Sequence, residues 1–415
     1  MTNDAGLNGA LARFLEAERE RQEAFLAALV RVPTDNPPGD CAPAAERAAE
    51  LLEGLGLAVE RHKVPEAEVR EGGMVSATNL VVRHRFGPGG KVIALNAHGD
   101  VVGPGEGWSV DPYAAVVRDG TMYGRGVAVS KSDLASYTWA LLALRACGAK
   151  LAGAVELHFT YDEEAGGTLG PAFLLRRGIT KPDLAIGAGF SYEVVTSHNG
   201  CLHLEVVVEG RSAHAAKPET GVDALEAATP ILAALYASRA ELAKRVSGVR
   251  GIGSPQLTIG LIAGGINTNV VPDRVSFRLD RRMIPEEIPE AVEAGLRELV
   301  AQAAAAHPAA RVEVRRILLA RPLARLPGVD GLAAALCAEA GEVLGETVRE
   351  SGVPLYTDAR HYAEAGVPIA LYGAGPRTIE EANSHRADER LKLSDLRAAT
   401  LVVARTLARL LGTAG

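Results

Sequence analysis

Short apolar segments alternate with amphipathic helical patterns through the first 200 residues of this chain. Val92–Ala97 and Ala154–Thr160 are apolar runs of strand length, whereas Leu11–Val30 and Ala44–Leu55 place apolar residues at three- and four-residue spacing. Such alternation predicts an α/β fold with a mainly parallel sheet and helices on both of its faces. In a sheet of this kind, ligands bind at the carboxyl ends of the strands.

The pattern changes after Gly200 and returns past about Leu319. Between these points the order strand, helix, strand, strand, helix, strand predicts an inserted α+β open-faced sandwich, with an antiparallel sheet on one side and two helices on the other. A chain of 415 residues also exceeds the size at which one core stops growing. We therefore predict a catalytic domain from residues 1–200 and 318–415, interrupted by a second domain at 201–317.

Composition excludes several functional classes. The net charge of −7 includes no basic run, so nucleic acid is not an expected partner. No window of about 18 apolar residues predicts a membrane span, and the first residues lack the pattern of a secretory signal, so a soluble, cytoplasmic protein is expected. The cysteines form no CxxC pair and are predicted to be reduced, buried hydrophobes: Cys41, Cys147, Cys201 and Cys337.

Histidine and acidic side chains follow two of the predicted strands. His98-Gly99-Asp100 comes directly after Val92–Ala97, and Asp162-Glu163-Glu164 comes just after Ala154–Thr160. An imidazole that binds a metal needs a carboxylate to orient its second nitrogen, and Asp100 is placed to do so. Of two adjacent acids, one can bind a metal while the other takes a proton from water. Each motif alone is also compatible with an ordinary loop or a solvated turn.

The motifs together resemble a known family. The set is similar to the zinc-dependent exo-amidases that include acetylornithine deacetylase, succinyl-diaminopimelate desuccinylase, aminoacylase and carboxypeptidase G. The likeness runs from about Ala24 to the C-terminus. It includes the two motifs above and the following segments: Pro33–Gly39, Gly124-Arg125-Gly126, Gly210–His214, Gly264–Pro272, Asp358-Ala359-Arg360 and Ser384-His385.

The resemblance implies a metal centre. By similarity, His98 and Glu164 would each bind one of two zinc ions (Zn2+), and His385 would bind the second. Glu163 would be the general base that activates water, and Asp100 would stand behind His98.

The resemblance also implies how substrate is bound. His214 and Asn269, from the inserted domain, are similar to groups that polarise the scissile carbonyl, with His214 acting across a dimer. Arg360 is similar to a residue that holds a substrate carboxylate, a task that suits a planar guanidinium. The inserted domain resembles a dimerisation lid, so a homodimer acting on a small carboxylate-bearing molecule is expected.

Two metal ligands of the family are missing here. Val129 occupies the position of the aspartate that bridges both metals, and Ala188 or Gly189 occupies that of a second carboxylate. The first zinc would keep only His98, whereas a zinc site needs about three protein ligands. Asp133 or Glu193 is a possible replacement.

Three functions remain open. The first is a hydrolase of an N-acyl or amide bond next to a carboxylate, with at most one zinc held by His98, Glu164 and His385. The second is a metal-independent enzyme that uses the same His/Glu pocket for acid-base chemistry. The third is a non-catalytic protein that binds a small carboxylate.

Overall fold

The computed structural model describes residues 4–412. Residues 1–3, which belong to the segment predicted to lack a secretory signal, and residues 413–415 lie outside the described residues. No described helix is both long and apolar enough to span a bilayer. The α-helices are α1 (Asp4–Ala17), α2 (Arg19–Val30), α3 (Ala42–Gly54), α4 (Glu66–Glu71), α5 (Lys131–Ala146), α6 (Pro171–Arg176), α7 (Ala224–Leu242), α8 (Pro289–Ala304), α9 (Asp330–Leu344), α10 (Ala359–Glu364), α11 (Ile379–Ala382) and α12 (Leu393–Leu411). The strands are β1 (Val59–Lys63), β2 (Thr78–Gly87), β3 (Val92–His98), β4 (Val116–Arg118), β5 (Thr121–Tyr123), β6 (Gly153–Thr160), β7 (Leu184–Gly187), β8 (Val194–His198), β9 (Gly200–Glu209), β10 (Gln256–Gly264), β11 (Arg274–Met283), β12 (Arg311–Ala320), β13 (Glu350–Val353), β14 (Ile369–Leu371) and β15 (Arg390–Lys392).

The largest sheet has eight strands in the order β1-β2-β6-β3-β7-β14-β8-β13. Its centre, β6-β3-β7-β14, is parallel, while β1 and β2 on one side and β8 on the other pair antiparallel with their neighbours. Every residue of β6 and nearly every residue of β3 is buried, so both faces of the centre are covered. The predicted α/β fold with a large, mainly parallel sheet is confirmed.

The register of β3 and β6 brings the predicted site motifs together. These strands run parallel with His98 opposite Thr160, so the two chains leave the sheet at the same edge. Helix α5 packs against both strands and against α2 and α12. The central strands are therefore held rigidly where the loops beginning at Gly99 and Tyr161 leave the sheet.

The chain divides into two compact units. The first contains the described residues up to Thr196, then Arg325–Ser351, then those from Thr357 onward, and the second contains Ser197–Ala324 and Gly352–Tyr356. In the second unit the antiparallel sheet has the order β10-β11-β9-β12, with the apolar side chains of β9 packed in a core with α7 and α8. The assignment of catalytic and dimerisation roles to these parts of the chain stays a prediction.

Several elements differ from the sequence analysis. The single helix predicted at Leu11–Val30 is two helices, because the backbone at Glu18, between α1 and α2, departs from helical dihedral angles with φ −93° and ψ 4°. Strand β1 was not predicted, since its sequence is polar and most of its side chains are exposed, as at the edge of a sheet. Strands β8 and β13 were also missed, because short buried strands without alternation have no periodic signal.

Candidate active site

His98 is the last residue of β3 and is buried. Its Nδ1 lies 3.0 Å from the main-chain oxygen of Asp100 and 3.3 Å from the Oδ1 of the same residue. The amide of Asn36 donates to Asp100 Oδ2 at 3.0 Å, which holds this carboxylate in place. One ring nitrogen of His98 is thus occupied by Asp100, so Nε2 is the nitrogen available for chemistry.

Asp100 also positions the acidic loop that follows β6. The backbone N–H groups of Glu163 and Glu164 donate to its two carboxylate oxygens at 3.2 and 3.1 Å. As a result, Glu163 Oε2 lies 4.0 Å from His98 Nε2. The structure therefore brings together four of the predicted site residues, which lie about 65 positions apart in two motifs.

Glu164 points to a different partner. Its Oε1 lies 3.4 Å from Nε2 of His385, a residue with a positive φ of 61° in the loop after α11. The hydrogen bond to Glu164 raises the pKa of His385, against the effect of burial. Of the three predicted metal ligands, Glu164 and His385 therefore form one pair, whereas His98 lies beside Glu163, the predicted base.

Burial and the charges of neighbouring side chains shift the pKa values of Glu163 and His98. Burial raises the pKa of Glu163 to about 7. The positive charges of His98 and Arg360 lower this pKa, whereas the negative charges of Glu164 and Asp100 raise it. Burial by itself would lower the pKa of His98, but the hydrogen bond to Asp100 and the charge of Glu163 raise it well above its usual value. Glu163 thus has an affinity for protons that suits a general base at neutral pH.

Arg360, in α10, contributes a cation to the same site. Its guanidinium donates to the carbonyl oxygen of Gly166, just after the acidic loop, and His361 Nε2 lies 3.0 Å from that oxygen. Arg360 is buried and lowers the pKa of Glu163 through its charge. Arg360, which is predicted to bind a substrate carboxylate, is thus close enough to Glu163, the predicted base, for its charge to affect it.

Asp358 was quoted in the sequence analysis without a function, and the structure places it at the site. It is buried, and neither of its carboxylate oxygens has a hydrogen-bond partner. Burial and the charge of Glu163 raise its pKa well above the usual value. The only sequence signal for it is that Asp358 belongs to the same motif as Arg360.

A buried ion pair supports the segment that contains Val129. Arg125 Nη1 donates to Glu389 Oε2 at 2.7 Å, and both side chains are 1% exposed. The other oxygen of Glu389 accepts the N–H groups of Ala128 and Val129 at 3.0 and 3.2 Å. The sequence analysis missed Glu389, although it follows His385 by four residues.

The proposed replacements for the missing ligands have other partners. Asp133 Oδ1 accepts the N–H of Ala374 at 2.6 Å, and Asp133 also bonds to the backbone of Gly189. Glu193 Oε2 accepts the hydroxyl of Ser351 at 2.6 Å. Both carboxylates therefore accept hydrogen bonds from other parts of the fold.

The donor set does not fit the two-zinc centre that the resemblance implies. Val129, Ala188 and Gly189 have no donor atoms in their side chains, so neither the bridging carboxylate nor the second missing one is supplied. Among the described residues, His98, Glu164 and His385 do not offer three donor atoms within 4.8 Å of one another. The pair Glu164–His385 falls one short of the three protein ligands usual for zinc.

His214 and Asn269 lie in the second unit. The N–H of Ala215 donates to the main-chain oxygen of Asn269 at 3.0 Å, and a β-bridge joins His214 to Val270. Both side chains are exposed, and His214 Nδ1 accepts the N–H of Ala216 at 3.0 Å. The structure thus places these two residues side by side, and their roles stay predictions.

Comparison with known sequences identifies the family of the chain. The sequence model described as "Peptidase family M20/M25/M40" matches residues 94–409. A succinyl-diaminopimelate desuccinylase of Gluconacetobacter diazotrophicus is 28% identical over an alignment of 396 residues that covers 92% of this chain and 95% of the relative. An acetylornithine deacetylase of Myxococcus xanthus is 27% identical over an alignment of 378 residues that covers 89% of this chain and 92% of the relative.

Solved structures show the same fold. An M20 family metallo-carboxypeptidase of Sulfolobus solfataricus superposes with a TM-score of 0.75 at 17% identity, covering 93% of this chain and 98% of that one. A dinuclear metal-binding peptidase of Bacillus subtilis gives a TM-score of 0.71 at 19% identity, covering 96% and 100%. The chain is therefore a member of peptidase family M20/M25/M40 and an enzyme of the class that hydrolyses amide and peptide bonds.

Proposed function

We propose that this enzyme hydrolyses an N-acyl or other amide bond next to a carboxylate group. The observation that supports it best is the position of Glu163. Its backbone N–H donates to Asp100, and its Oε2 lies 4.0 Å from His98 Nε2. The charge of Arg360 acts on Glu163, which suits a substrate whose carboxylate lies near the scissile bond. The names of the relatives above suggest N-succinyl and N-acetyl amino acids as the first substrates to test.

In this proposal Glu163 moves the protons. It takes one proton from the attacking water as the oxygen bonds to the acyl carbon, and it returns that proton to the nitrogen as the carbon–nitrogen bond breaks. Asp100 keeps His98 oriented beside it. Arg360 binds the substrate carboxylate, while His214 and Asn269 polarise the carbonyl.

We infer that the site holds at most one zinc ion. No step above depends on that ion, because the side chains present do not supply a complete set of ligands. The absence of a compact three-donor set favours a second candidate, in which the same His/Glu pocket performs metal-independent acid-base chemistry on a similar substrate. Metal analysis of protein purified without chelator, followed by assay after chelation, distinguishes the two.

The first prediction concerns the base. Glu163→Gln keeps the shape of the side chain and removes its ability to take a proton, so turnover of N-succinyl-diaminopimelate or N-acetylornithine should fall by about 10²–10⁴-fold. Release of the free amine measures turnover, and calorimetry measures substrate binding, which should persist. Glu71→Gln, an exposed residue of α4, is the matched control and should retain full activity.

The outcome that contradicts the proposal is equally specific. If Glu163→Gln turns over substrate as fast as the original enzyme, Glu163 is not the base. If neither protein hydrolyses any N-acyl amino acid or dipeptide in the panel yet both bind them, the non-catalytic binding function replaces the hydrolase.

A further inference from the structure

Three potential metal ligands meet on the sheet of the second unit. Cys201 Sγ lies 3.2 Å from His203 Nε2 and 3.8 Å from Asp280 Oδ2, and His203 Nε2 lies 3.0 Å from that same oxygen. Among the residues that the structure describes, this is the one group of three or more histidine, cysteine and acidic side chains whose donor atoms all lie within 4.8 Å. The candidate active-site side chains of the first unit are not part of it.

The register of two strands explains the cluster. Cys201 and His203 are two residues apart on β9, so their side chains point to the same face of the sheet. Asp280 lies directly opposite His203 on the antiparallel neighbour β11. The intervening Leu202 and the next residue Leu204 point to the other face, into the core with α7 and α8. The cluster therefore lies on the face of the sheet that those helices do not cover.

The geometry fits a shared ion better than a proton relay. Both close contacts of His203 involve the same nitrogen, Nε2, whereas a relay from a thiol to a carboxylate would use both ring nitrogens. Metal–ligand distances of about 2.0–2.3 Å in a tetrahedral site place neighbouring donors roughly 3.3–3.6 Å apart. The observed separations of 3.0 and 3.2 Å are slightly shorter than that range and the third, 3.8 Å, is slightly longer, so small side-chain movements would bring the three donor atoms around one ion.

The surroundings orient the donors and leave an entry path. Arg282 Nε donates to both carboxylate oxygens of Asp280, at 2.9 Å to Oδ1 and 3.2 Å to Oδ2, and so holds this carboxylate beside the histidine and the cysteine. Cys201 is fully buried, whereas the side chains of His203 and Asp280 are 36% and 30% exposed. A metal ion can therefore enter from solvent past His203 and Asp280 and bind Cys201 Sγ at the buried end of the site.

We propose that Cys201, His203 and Asp280 bind a zinc ion, or another divalent transition-metal ion that accepts thiolate, in a site separate from the catalytic residues. A thiolate, an imidazole and a carboxylate form a donor set that suits zinc and does not suit magnesium or calcium. Binding displaces the proton of the thiol and the proton through which His203 Nε2 contacts Asp280, and a water molecule completes a four-coordinate ion. The site requires no metal at the candidate active site and is independent of the proposed hydrolysis.

The test uses the full-length protein and cobalt alone as the probe. Metal-free protein is titrated with Co2+, and we expect a thiolate-to-cobalt charge-transfer band in the near ultraviolet that saturates with a single ion bound through sulfur. Cys201→Ser should abolish the band, and Asp280→Asn should weaken cobalt binding by about tenfold or more. A variant with the other three cysteines changed to serine, and a Glu164→Gln variant, should both retain it.

X-ray absorption at the zinc edge tests the same site without any substitution. Zinc-loaded original protein should show a sulfur neighbour at about 2.3 Å. A charge-transfer band that persists in Cys201→Ser, or a zinc spectrum without sulfur, overturns the proposal. These outcomes do not depend on catalysis, so loss of activity in Glu163→Gln and loss of the sulfur-bound ion in Cys201→Ser are separate results.

Discussion

At the residue scale, two missing carboxylates separate this chain from the metal centre that its motifs imply, and one of them is at Val129. Val129 lies beside Ser130, whose hydroxyl accepts the N–H of His98 at 3.1 Å and donates to the carbonyl oxygen of His98 at 3.0 Å. Position 129 therefore lies next to the residue that holds the backbone of His98, but its side chain has no donor atom.

Restoring that carboxylate should restore metal binding. We expect Val129→Asp to raise zinc affinity by about tenfold or more, because it adds a ligand next to His98. Val129→Asn is the control, since it has nearly the same shape as aspartate without its charge. Calorimetric titration with zinc measures both, in a Cys201→Ser background that removes the other proposed site. Equal affinities for the two variants would mean that position 129 does not face the metal-binding region.

Gly167 should tolerate no side chain. Its φ is +67°, and an added Cβ would lie 2.1 Å from Asp358 Oδ1 and 2.7 Å from His361 Nε2. Gly167→Ala should therefore cost about 2–4 kcal/mol, from backbone strain plus the clash. Gly56 has a similar φ of +76° with nothing within 4 Å, so Gly56→Ala should cost only about 1 kcal/mol. Urea denaturation of the two variants measures the difference, and equal losses would contradict the close packing of Gly167 against Asp358.

At the scale of the elements, an ion pair between Arg83 and the buried Glu156 links strands β2 and β6. Arg83 on β2 is paired in register with Glu156 on β6, and the Glu156 carboxylate also contacts His158 Nε2 at 3.1 Å and the hydroxyl of Thr180. Burial alone would raise the pKa of Glu156, but the hydrogen bonds from His158 and Thr180 and the charge of Arg83 lower it to about 2. This network stabilises the strand that leads into the acidic loop.

The stability from Glu156 should depend on pH. Its pKa in the folded protein lies below the usual 4.5, so its contribution is complete above about pH 4.5 and is lost as the pH falls toward about 2. Glu156→Gln should destabilise the protein by about 2–3 kcal/mol at pH 7, with a smaller difference at acid pH. Glu60→Gln removes an exposed partner of the same arginine and should cost less than about 1 kcal/mol. A Glu156→Gln deficit that stays constant with pH would show that packing, not charge, is responsible.

At the scale of the whole molecule, we propose that the second unit joins two subunits. Strand β10 is at the edge of its sheet, and Leu261 on it and Ile266 just after it are 61% and 79% exposed. An unpaired edge with exposed apolar side chains is a surface suited to pairing with another chain. Leu261→Glu should consequently shift the protein from dimer to monomer in light scattering.

Mixing inactive variants tests whether His214 of one subunit serves the site of its partner. Glu163→Gln and His214→Ala should each be inactive alone, but a mixed dimer would contain one site with both residues intact. Random mixing should then recover about one quarter of the original activity. If the mixture stays inactive while light scattering confirms mixed dimers, His214 does not act across the interface.

The sequence predicted the two motifs at the strand ends well, because parallel strands place their carboxyl ends at one edge. It did not predict that His98 faces Glu163 while Glu164 faces His385, since those pairings depend on loop conformations. The contacts of Cys201 were likewise not predicted from the sequence. This cysteine was predicted to be an ordinary buried hydrophobe, but its sulfur lies beside His203 and a carboxylate from another strand.

Local periodicity was sufficient to determine the α/β class with its large, mainly parallel sheet, because helical and strand patterns depend on neighbours in the chain. The domain roles and the site residues inferred from the order of the motifs stay predictions. Which donor atoms meet was decided only by the tertiary structure. His203 and Asp280 are 77 residues apart and become neighbours through the register of β9 and β11. Strand register and loop geometry result from packing of the whole domain, and a periodic pattern in one segment does not specify them.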